Sequence, residues 1–340
     1  MADESYSQLL QAVIAGEDLS RRQTHRAFTE IMDGRWDEAQ IAALLAALAT
    51  KGETVDEIAG GAAAMREHVI RLDASGLDVV DTCGTGGTGL RTFNISTAAA
   101  LVLAGAGVKV AKHGNRTTTR ASGSADVLAV LGVDLDAEAD VVARCLRQAG
   151  VCFCFAVRCH PAMKYAVPVR KAMGVRTIFN LLGPLTNPAG ARRQVMGVFD
   201  AALTETIAEV LGALGAVRAM VLHAQDGLDE ISTTANTKIS QLSDGEVTTY
   251  VASPEDFGVK RSKMEDLLAE SPQQSADVIR SVLDGDAGPA RDIVLLNAAA
   301  GLVVADRANN VRAGIPTVAE SIDSGAARTA LDTLVATSNA

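Results

Sequence analysis

The sequence predicts an α/β protein in which a small all-helical domain is joined to a large α/β domain with a central, mainly parallel sheet. Three observations lead there. Residues 5–72 carry helical spacing of apolar side chains and no strand pattern. From Leu77 onward, short β-branched runs alternate with Ala- and Leu-rich stretches, the signature of βαβ units. Residues 81–132 hold three polar motifs in a largely apolar setting, spaced so that parallel strands would carry them to one sheet edge.

The elements follow in order. Leu9, Leu10, Val13 and Ile14 form a helical stripe, residues 24–32 continue it, and residues 37–50 make a strongly apolar helix. Thr54-Val55-Asp56-Glu57 resembles a capping box opening a helix to about residue 72. Strands are expected at 77–81, 108–112, 151–155, 194–199 and 219–223, with shorter ones at 238–241 and 247–251. Pro168, Gly174, Pro184 and Pro188 break residues 161–188 into irregular helix, which can leave the sheet and pack on the first helices. Two closing helices are expected, at about 292–305 and 317–337. The small domain is therefore residues 1–74 joined by about 166–190, and the large one is 75–165 with 191–340.

Composition narrows the function. A chain of 340 residues with 48% apolar content has ample core, and its 3% aromatic content gives little surface for stacking bases. Thirty-one basic against 41 acidic residues leave a formal charge of −10, which argues against general nucleic-acid binding. The acidic start lacks the basic-then-apolar order of a secretion signal, and no apolar run approaches the length of a membrane span. Five cysteines, an odd number, fit a reducing cytoplasm. Cys152, Cys154 and Cys159 suggest a metal cluster, but Cys152-Phe153-Cys154-Phe155 reads as a strand and no second pair completes a zinc site. Buried packing is expected.

The three motifs describe a pocket for a polyphosphorylated small molecule. Gly84, Gly86 and Gly89 fit G-x-G-x-x-G after a strand, the dinucleotide fingerprint. That fold places an acid at the end of the next strand, whereas here stands Lys112, followed by His113 and Arg116. A nicotinamide site is thus disfavoured, and no Gly-Lys-Ser/Thr closes a Walker loop. Asn94-Ile95-Ser96-Thr97 opens an apolar helix whose first-turn amides and hydroxyls suit an anion; plain N-capping by Asn94 or Ser96 is the alternative. Lys112-His113-Gly114-Asn115-Arg116, with Arg120 beyond, concentrates positive charge at a strand end in an acidic protein. Gly123-Ser124-Ala125-Asp126 starts another helix, with Ser124 or Asp126 suited to cap it. Much later, Asp226-Gly227-Leu228-Asp229-Glu230 places adjacent acids after a strand on the same sheet edge. Beside a phosphate pocket that pattern suggests Mg²⁺ held by carboxylates and substrate phosphates.

These motifs, in this order, resemble the anthranilate phosphoribosyltransferase family. The matching pieces are Gly84-Thr85-Gly86-Gly87, Thr92-Phe93-Asn94-Ile95-Ser96-Thr97, Lys112-His113-Gly114-Asn115-Arg116, residues 123–128, His160-Pro161-Ala162-Met163, residues 175–188 and residues 226–232. The resemblance spans essentially the whole chain. It implies an active site at the hinge between the two domains, a homodimer formed through the helical domains, and transfer of ribose 5-phosphate from phosphoribosyl pyrophosphate (PRPP) to the amino group of anthranilate. It implies PRPP against Gly84, Gly87, Asn94, Ser96, Thr97 and Lys112, with Gly86, Thr92, Arg116 and Ser124 as further substrate-binding positions. It implies Mg²⁺ at Ser96, Asp229 and Glu230, and anthranilate approaching past Asn115, His160 and Arg170. Lys112, Arg170 and His160 are the residues expected to carry catalysis, with orienting and packing roles both open for His160.

The chain departs from the family at two places. Thr88 stands where the family has Asp after Gly-Thr-Gly-Gly, and Thr117-Thr118-Thr119-Arg120-Ala121 replaces a serine-rich segment. Two other readings share the architecture. A pyrimidine nucleoside phosphorylase would give the Asp229-Glu230 pair little purpose, and a non-catalytic nucleic-acid binder would need a basic face that the net charge does not supply.

Overall fold

The computed structural model describes residues 5–116 and 122–340. Four helices come first: α1 (Tyr6–Ile14), α2 (Arg21–Met32), α3 (Glu38–Lys51) and α4 (Val55–Glu67). Their starts are written in the sequence, since Ser20, Asp37 and Thr54 each accept the N3 backbone amide while Gln23, Gln40 and Glu57 return the bond. Glu57 is wholly buried, where it also accepts the Leu19 amide at 2.9 Å and pairs with Lys51 at 3.0 Å.

The sheet then runs β1 (Val79–Gly84), α5 (Ile95–Gly105), β2 (Lys109–Gly114), α6 (Ser124–Val130), α7 (Ala139–Gln148) and β3 (Val151–Phe155). Three short helices follow, α8 (Ala156–Cys159), α9 (Val167–Met173) and α10 (Phe179–Leu182), before β4 (Arg193–Gly197), α11 (Leu203–Ala213), β5 (Arg218–Ala224), β6 (Thr237–Ser243) and β7 (Glu246–Ala252). The chain closes with α12 (Pro272–Leu283), α13 (Pro289–Val304), α14 (Val311–Asp323) and α15 (Ala326–Ser338).

Strand order is β3-β2-β1-β4-β5-β6-β7, parallel from β3 through β5 and antiparallel for β6 and β7. The chain steps outward from β1 to β2 and β3, then restarts on the other side of β1 with β4. Helices α5 and α7 thus cover one face, with α13 and α15 packed on α5, while α11 lies on the other. The second face belongs to a separate apolar cluster. It unites α1–α4, Ala166, Val169, Phe179, Leu182 and Leu185 with α11, with Val221 of β5 and with Val198 just past β4. Residues 166–185 therefore pack with the first four helices, as their apolar spacing requires.

Several expectations need correction. The helix opened at Thr54 ends at Glu67 rather than near residue 72. The stretch 317–337 is not one helix: α14 begins earlier, at Val311, and ends at Asp323, and Gly325 at φ +77 separates it from α15. Pro316 lies within α14 rather than before it. Strand β1 runs to Gly84 rather than stopping at Asp81, because Asp81, Thr82 and Cys83 are buried in full register with β4.

One close approach fixes the edge where the motifs meet. A Cβ on Gly197, at the end of β4, would lie 1.9 Å from the Asp229 carbonyl oxygen, and one on Gly84 would lie 2.8 Å from Asp229 Oδ2. The turn after β5 thus rests directly on the ends of β1 and β4. Gly197→Ala must displace backbone rather than a flexible side chain, at a cost of about 1–3 kcal/mol. The expected result is a lowered midpoint of thermal unfolding by circular dichroism; an unchanged midpoint would mean that the turn is not held there.

Candidate active site

β1 leads straight into the glycine loop, where Gly86, Gly87 and Gly89 take φ of +63, +79 and +74, a region other residues enter only with strain. The loop is pinned from two sides. The Thr85 amide donates to the Gly197 carbonyl at 2.9 Å, and Arg176 Nη2 donates to the Gly87 carbonyl at 2.7 Å. The Arg176 guanidinium also lies 4.1 Å from the centre of the Phe199 ring.

Helix α5 points its first turn at this loop. Asn94 is the N-cap residue but makes no side-chain cap. Its Oδ1 accepts Ser122 Oγ at 2.8 Å and Ser275 Oγ at 2.7 Å, and its Nδ2 donates to the Ser122 carbonyl at 3.2 Å. Asn94 therefore ties the start of α5 to α12 and to the chain leaving residues 117–121. Ser96 Oγ accepts from Lys112 Nζ at 3.2 Å. Thr92 and Thr97 do not line the cleft: Thr92 bridges to Leu268, and the Thr97 hydroxyl is buried with no hydrogen-bond partner among the described residues.

Lys112 reaches back from β2 into this corner, 3% exposed, donating also to the Thr82 carbonyl. Burial lowers its pKa, while Asp81, Cys83, Glu230 and Asp229 act in the opposite direction. Beyond it, Arg116 Nη1 donates to Asp126 Oδ1 at 2.9 Å, and Asp126 Oδ2 accepts the Gly123 amide. Gly123 is the N-cap of α6, so Asp126 closes that helix start from N3 while Ser124 Oγ bonds the Asn115 carbonyl at 3.4 Å. The expected hydroxyls and cation of residues 117–121, Arg120 included, lie outside the described residues.

On the far side, α9 and α10 supply a different environment. The Arg170 guanidinium stands 5.5 Å from the Phe179 ring centre and makes no salt bridge among the described residues. Burial lowers its pKa, yet a guanidinium stays charged, so the cleft holds a cation in search of a carboxylate. His160 is not on the cleft wall but behind it, its Nε2 3.1 Å from His113 Nε2, with both rings buried. Burial lowers the His113 imidazole to about 3 and that of His160 to about 4. Both are neutral at physiological pH, so one ring donates its proton to the other.

The acid pair arrives from β5. Asp226 organises the turn by accepting the Leu228 amide at 3.1 Å and Ser232 Oγ at 2.6 Å. Asn297, buried in α13, brackets Ile231, accepting its amide at 2.9 Å and donating to its carbonyl at 3.0 Å. Asp229 and Glu230 then line the same cleft as Gly84, Gly86, Gly87, Asn94, Ser96, Lys112, Asn115, Arg116, Ser124 and Arg170, in a volume of about 600 Å³. Sequence reasoning missed Arg176, Ser122, Ser275 and Asn297. Arg176 sat in a matched motif without a role, and the others act only through contacts distant in sequence.

The histidine pair has a thermodynamic consequence. A histidine kept neutral by folding binds its proton in the unfolded chain first, so its stabilising contribution is complete above about pH 6.5 and is lost as pH falls toward the folded value. Removing one of the pair should therefore flatten the acid side of the stability curve. His160→Gln is expected to show a shallower loss of unfolding free energy between pH 6.5 and pH 4 than the parent chain, measured by urea denaturation. An equal slope would mean that His160 titrates normally.

Comparison with known proteins agrees with this geometry. Residues 7–69 match the helical bundle domain of a glycosyl transferase family, and residues 76–328 match its a/b domain. The anthranilate phosphoribosyltransferase of Desulfosudis oleivorans is 51% identical over 331 residues, covering 97% of this chain and 98% of the relative. The crystal structure of the Thermus thermophilus enzyme superposes with a TM-score of 0.92 at 40% identity, over 98% of this chain and 99% of that one. The Saccharomyces cerevisiae enzyme in complex with PRPP and Mg gives a TM-score of 0.88 at 27% identity, over 98% and 99% of the two chains. The same yeast enzyme, in complex with 4-fluoroanthranilate, gives 0.87 at 26% identity, again over 98% and 99%. The chain belongs to the anthranilate phosphoribosyltransferase family.

Proposed function

We infer that the chain transfers the 5-phosphoribosyl group of PRPP to the amino group of anthranilate, giving N-(5-phosphoribosyl)anthranilate and pyrophosphate in tryptophan biosynthesis. The observation that carries this reading is one cleft with two chemistries: a glycine loop, helix start and buried lysine on one side, and an arginine on an aromatic ring on the other. The first suits a pyrophosphate, the second an aromatic carboxylate.

Asp229, Glu230 and the Ser96 hydroxyl offer oxygen donors only, the set that Mg²⁺ prefers. Among the described residues no cluster of three His, Cys, Asp or Glu forms a complete protein cage. Mg²⁺ held there would take its remaining ligands from substrate phosphates and water. When bound, Mg²⁺ neutralises charge on the pyrophosphate leaving group.

An aromatic amine is neutral at physiological pH, so its lone pair is available without a strong base. Breaking the bond from C1′ to pyrophosphate leaves positive charge on the ribose and negative charge on the leaving oxygen. Lys112 and the first-turn amides of α5 face that oxygen as fixed positive charge and dipoles, which is where preorganised electrostatics act. Arg170 holds the anthranilate carboxylate, Asn115 lines that half of the cleft, and His160 backs it through His113. Alignment of the amine with C1′ supplies much of the remaining acceleration.

We also place residues 1–74 with 166–190 in one body whose movement against the rest closes the cleft, and a homodimer interface on that body, where Ile14 and Val167 stand exposed. A cytoplasmic enzyme accords with five cysteines that are all free. No helix among the described residues is long and apolar enough to cross a membrane.

Thr88 stands in the glycine loop, its hydroxyl accepting the Leu90 amide at 3.4 Å. Mixing the chain with PRPP, Mg²⁺ and anthranilate should consume anthranilate fluorescence; absence of turnover at every Mg²⁺ concentration would overturn the assignment. Thr88→Asp should remain active and shift the Mg²⁺ dependence to lower concentration, because it returns a carboxylate to the loop. An unchanged profile would show that position 88 has no part in the metal response.

A further inference from the structure

The two central strands that carry the site part company inside the sheet. β1 and β2 pair only at Val79 with Lys109 and Val80 with Val110. Each then continues with its outer neighbour alone, β1 with β4 as far as Gly84 and Gly197, and β2 with β3 as far as Gly114 and Phe155. Alternate residues of a strand turn their backbone groups to opposite neighbours, so the parting strips partners from Ala111 and His113 on β2 and from Thr82 on β1.

Side chains replace the lost ladder. Asp81 Oδ1 accepts the His113 amide at 3.0 Å, and Asp81 Oδ2 accepts Asn187 Nδ2 at 2.8 Å. Asn187 Nδ2 donates in addition to the Ala111 carbonyl at 2.7 Å, and Asn187 Oδ1 accepts the Ala189 amide at 2.9 Å. The Lys112 amine takes the Thr82 carbonyl. Both Asp81 and Asn187 are buried, and neither lines the cleft. Both Asp81 carboxylate oxygens and the Asn187 amide nitrogen face the gap between the strands, while Asn187 Oδ1 anchors that side chain to its own loop.

The gap lies immediately under two side chains that point opposite ways. Successive strand residues alternate between faces, so Lys112 turns toward Ser96 and the helix start while His113 turns toward His160. A bond to the backbone at residue 113 therefore sets the approach of both halves of the cleft at once.

We propose that Asp81 and Asn187 are positioning residues for the transfer, holding β1 and β2 at the separation that aligns Lys112 on one substrate and the His113–His160 pair on the other. This assignment rests on the two-substrate reading of the cleft. It differs from a purely structural role in what it does to the kinetics. Misalignment raises the barrier for the chemical step, while each substrate still finds its own contacts.

The test uses the full chain carrying Asp81→Asn. The two donors sit on different carboxylate oxygens, and the substitution puts an NH₂ donor at one of them, so either the His113 amide or Asn187 loses its acceptor. The number of PRPP-binding sites is first counted by calorimetry with Mg²⁺, and kcat is expressed per binding site. The expected result is a kcat about 10- to 100-fold lower, with KM for both substrates moved by less than about threefold. Asn187→Ser, which keeps Asp81 and its bond to His113, should show the same split more weakly and covers the case in which Asp81→Asn fails to fold. Unchanged kcat per binding site in whichever variant folds, with only a lower thermal midpoint, would overturn the proposal. Absence of turnover in the parent chain would instead overturn the functional reading, and this assignment with it.

Discussion

Two adjacent parallel strands stop pairing before they reach the active edge, and every polar group released by that parting has to find another partner. A buried backbone amide or carbonyl left alone costs free energy on the scale of a whole hydrogen bond, so the gap cannot simply be empty. Asp81, Asn187 and Lys112 fill it. Two of these three groups are normally charged, and taking them out of water is expensive. Burial raises the Asp81 carboxyl to about 6 despite the His113 amide, Asn187 and Lys112, which all favour its ionised form. The fold accepts that cost where it yields a cation held at the end of a strand, facing the start of α5.

The rest of the cleft follows from that cation and from the backbone geometry around it. Gly84 and Gly197 lack side chains, so the Asp229-Glu230 turn can settle on the ends of β1 and β4, within electrostatic reach of Lys112. Asn297 and Asp226 fix the turn from behind. The protein as a whole carries a charge of −10, yet its cleft gathers Lys112, Arg116, Arg170 and Arg176. Such local reversal favours an anionic substrate over bulk nucleic acid. The buried His113–His160 pair is neutral, so it adds no further charge to those four cations.

Much of this was legible from the residues alone, for identifiable reasons. Strand 151–155 is an uninterrupted apolar run and was bounded correctly. The capping box at Thr54 carries its own signature. The glycine loop, the Lys112 strand end and the acidic turn were each visible as local motifs, and Lys112 alone sufficed to disfavour a dinucleotide site. What escaped was long-range. From sequence the first strand is expected to end at Asp81, whose partner Asn187 lies 106 positions later. Asn94 reads in sequence as an anion contact with capping as the alternative; it makes no side-chain cap, and its side chain serves Ser122 and Ser275, the latter 181 positions away. Thr97 shares a motif with Ser96, yet one step along a helix turns its hydroxyl away from the cleft. The stretch 317–337 reads in sequence as one helix, which conceals the break at Gly325.

The division of one cleft into a phosphate half and a carboxylate half is open to direct measurement. Titration calorimetry of PRPP with Mg²⁺, and of anthranilate, into the parent chain and into Lys112→Met and Arg170→Met separates the two halves. Lys112→Met should lose PRPP affinity and keep anthranilate affinity, and Arg170→Met should do the reverse. Loss of both affinities in each variant, or of neither, would contradict a cleft in which Lys112 and Arg170 serve different substrates.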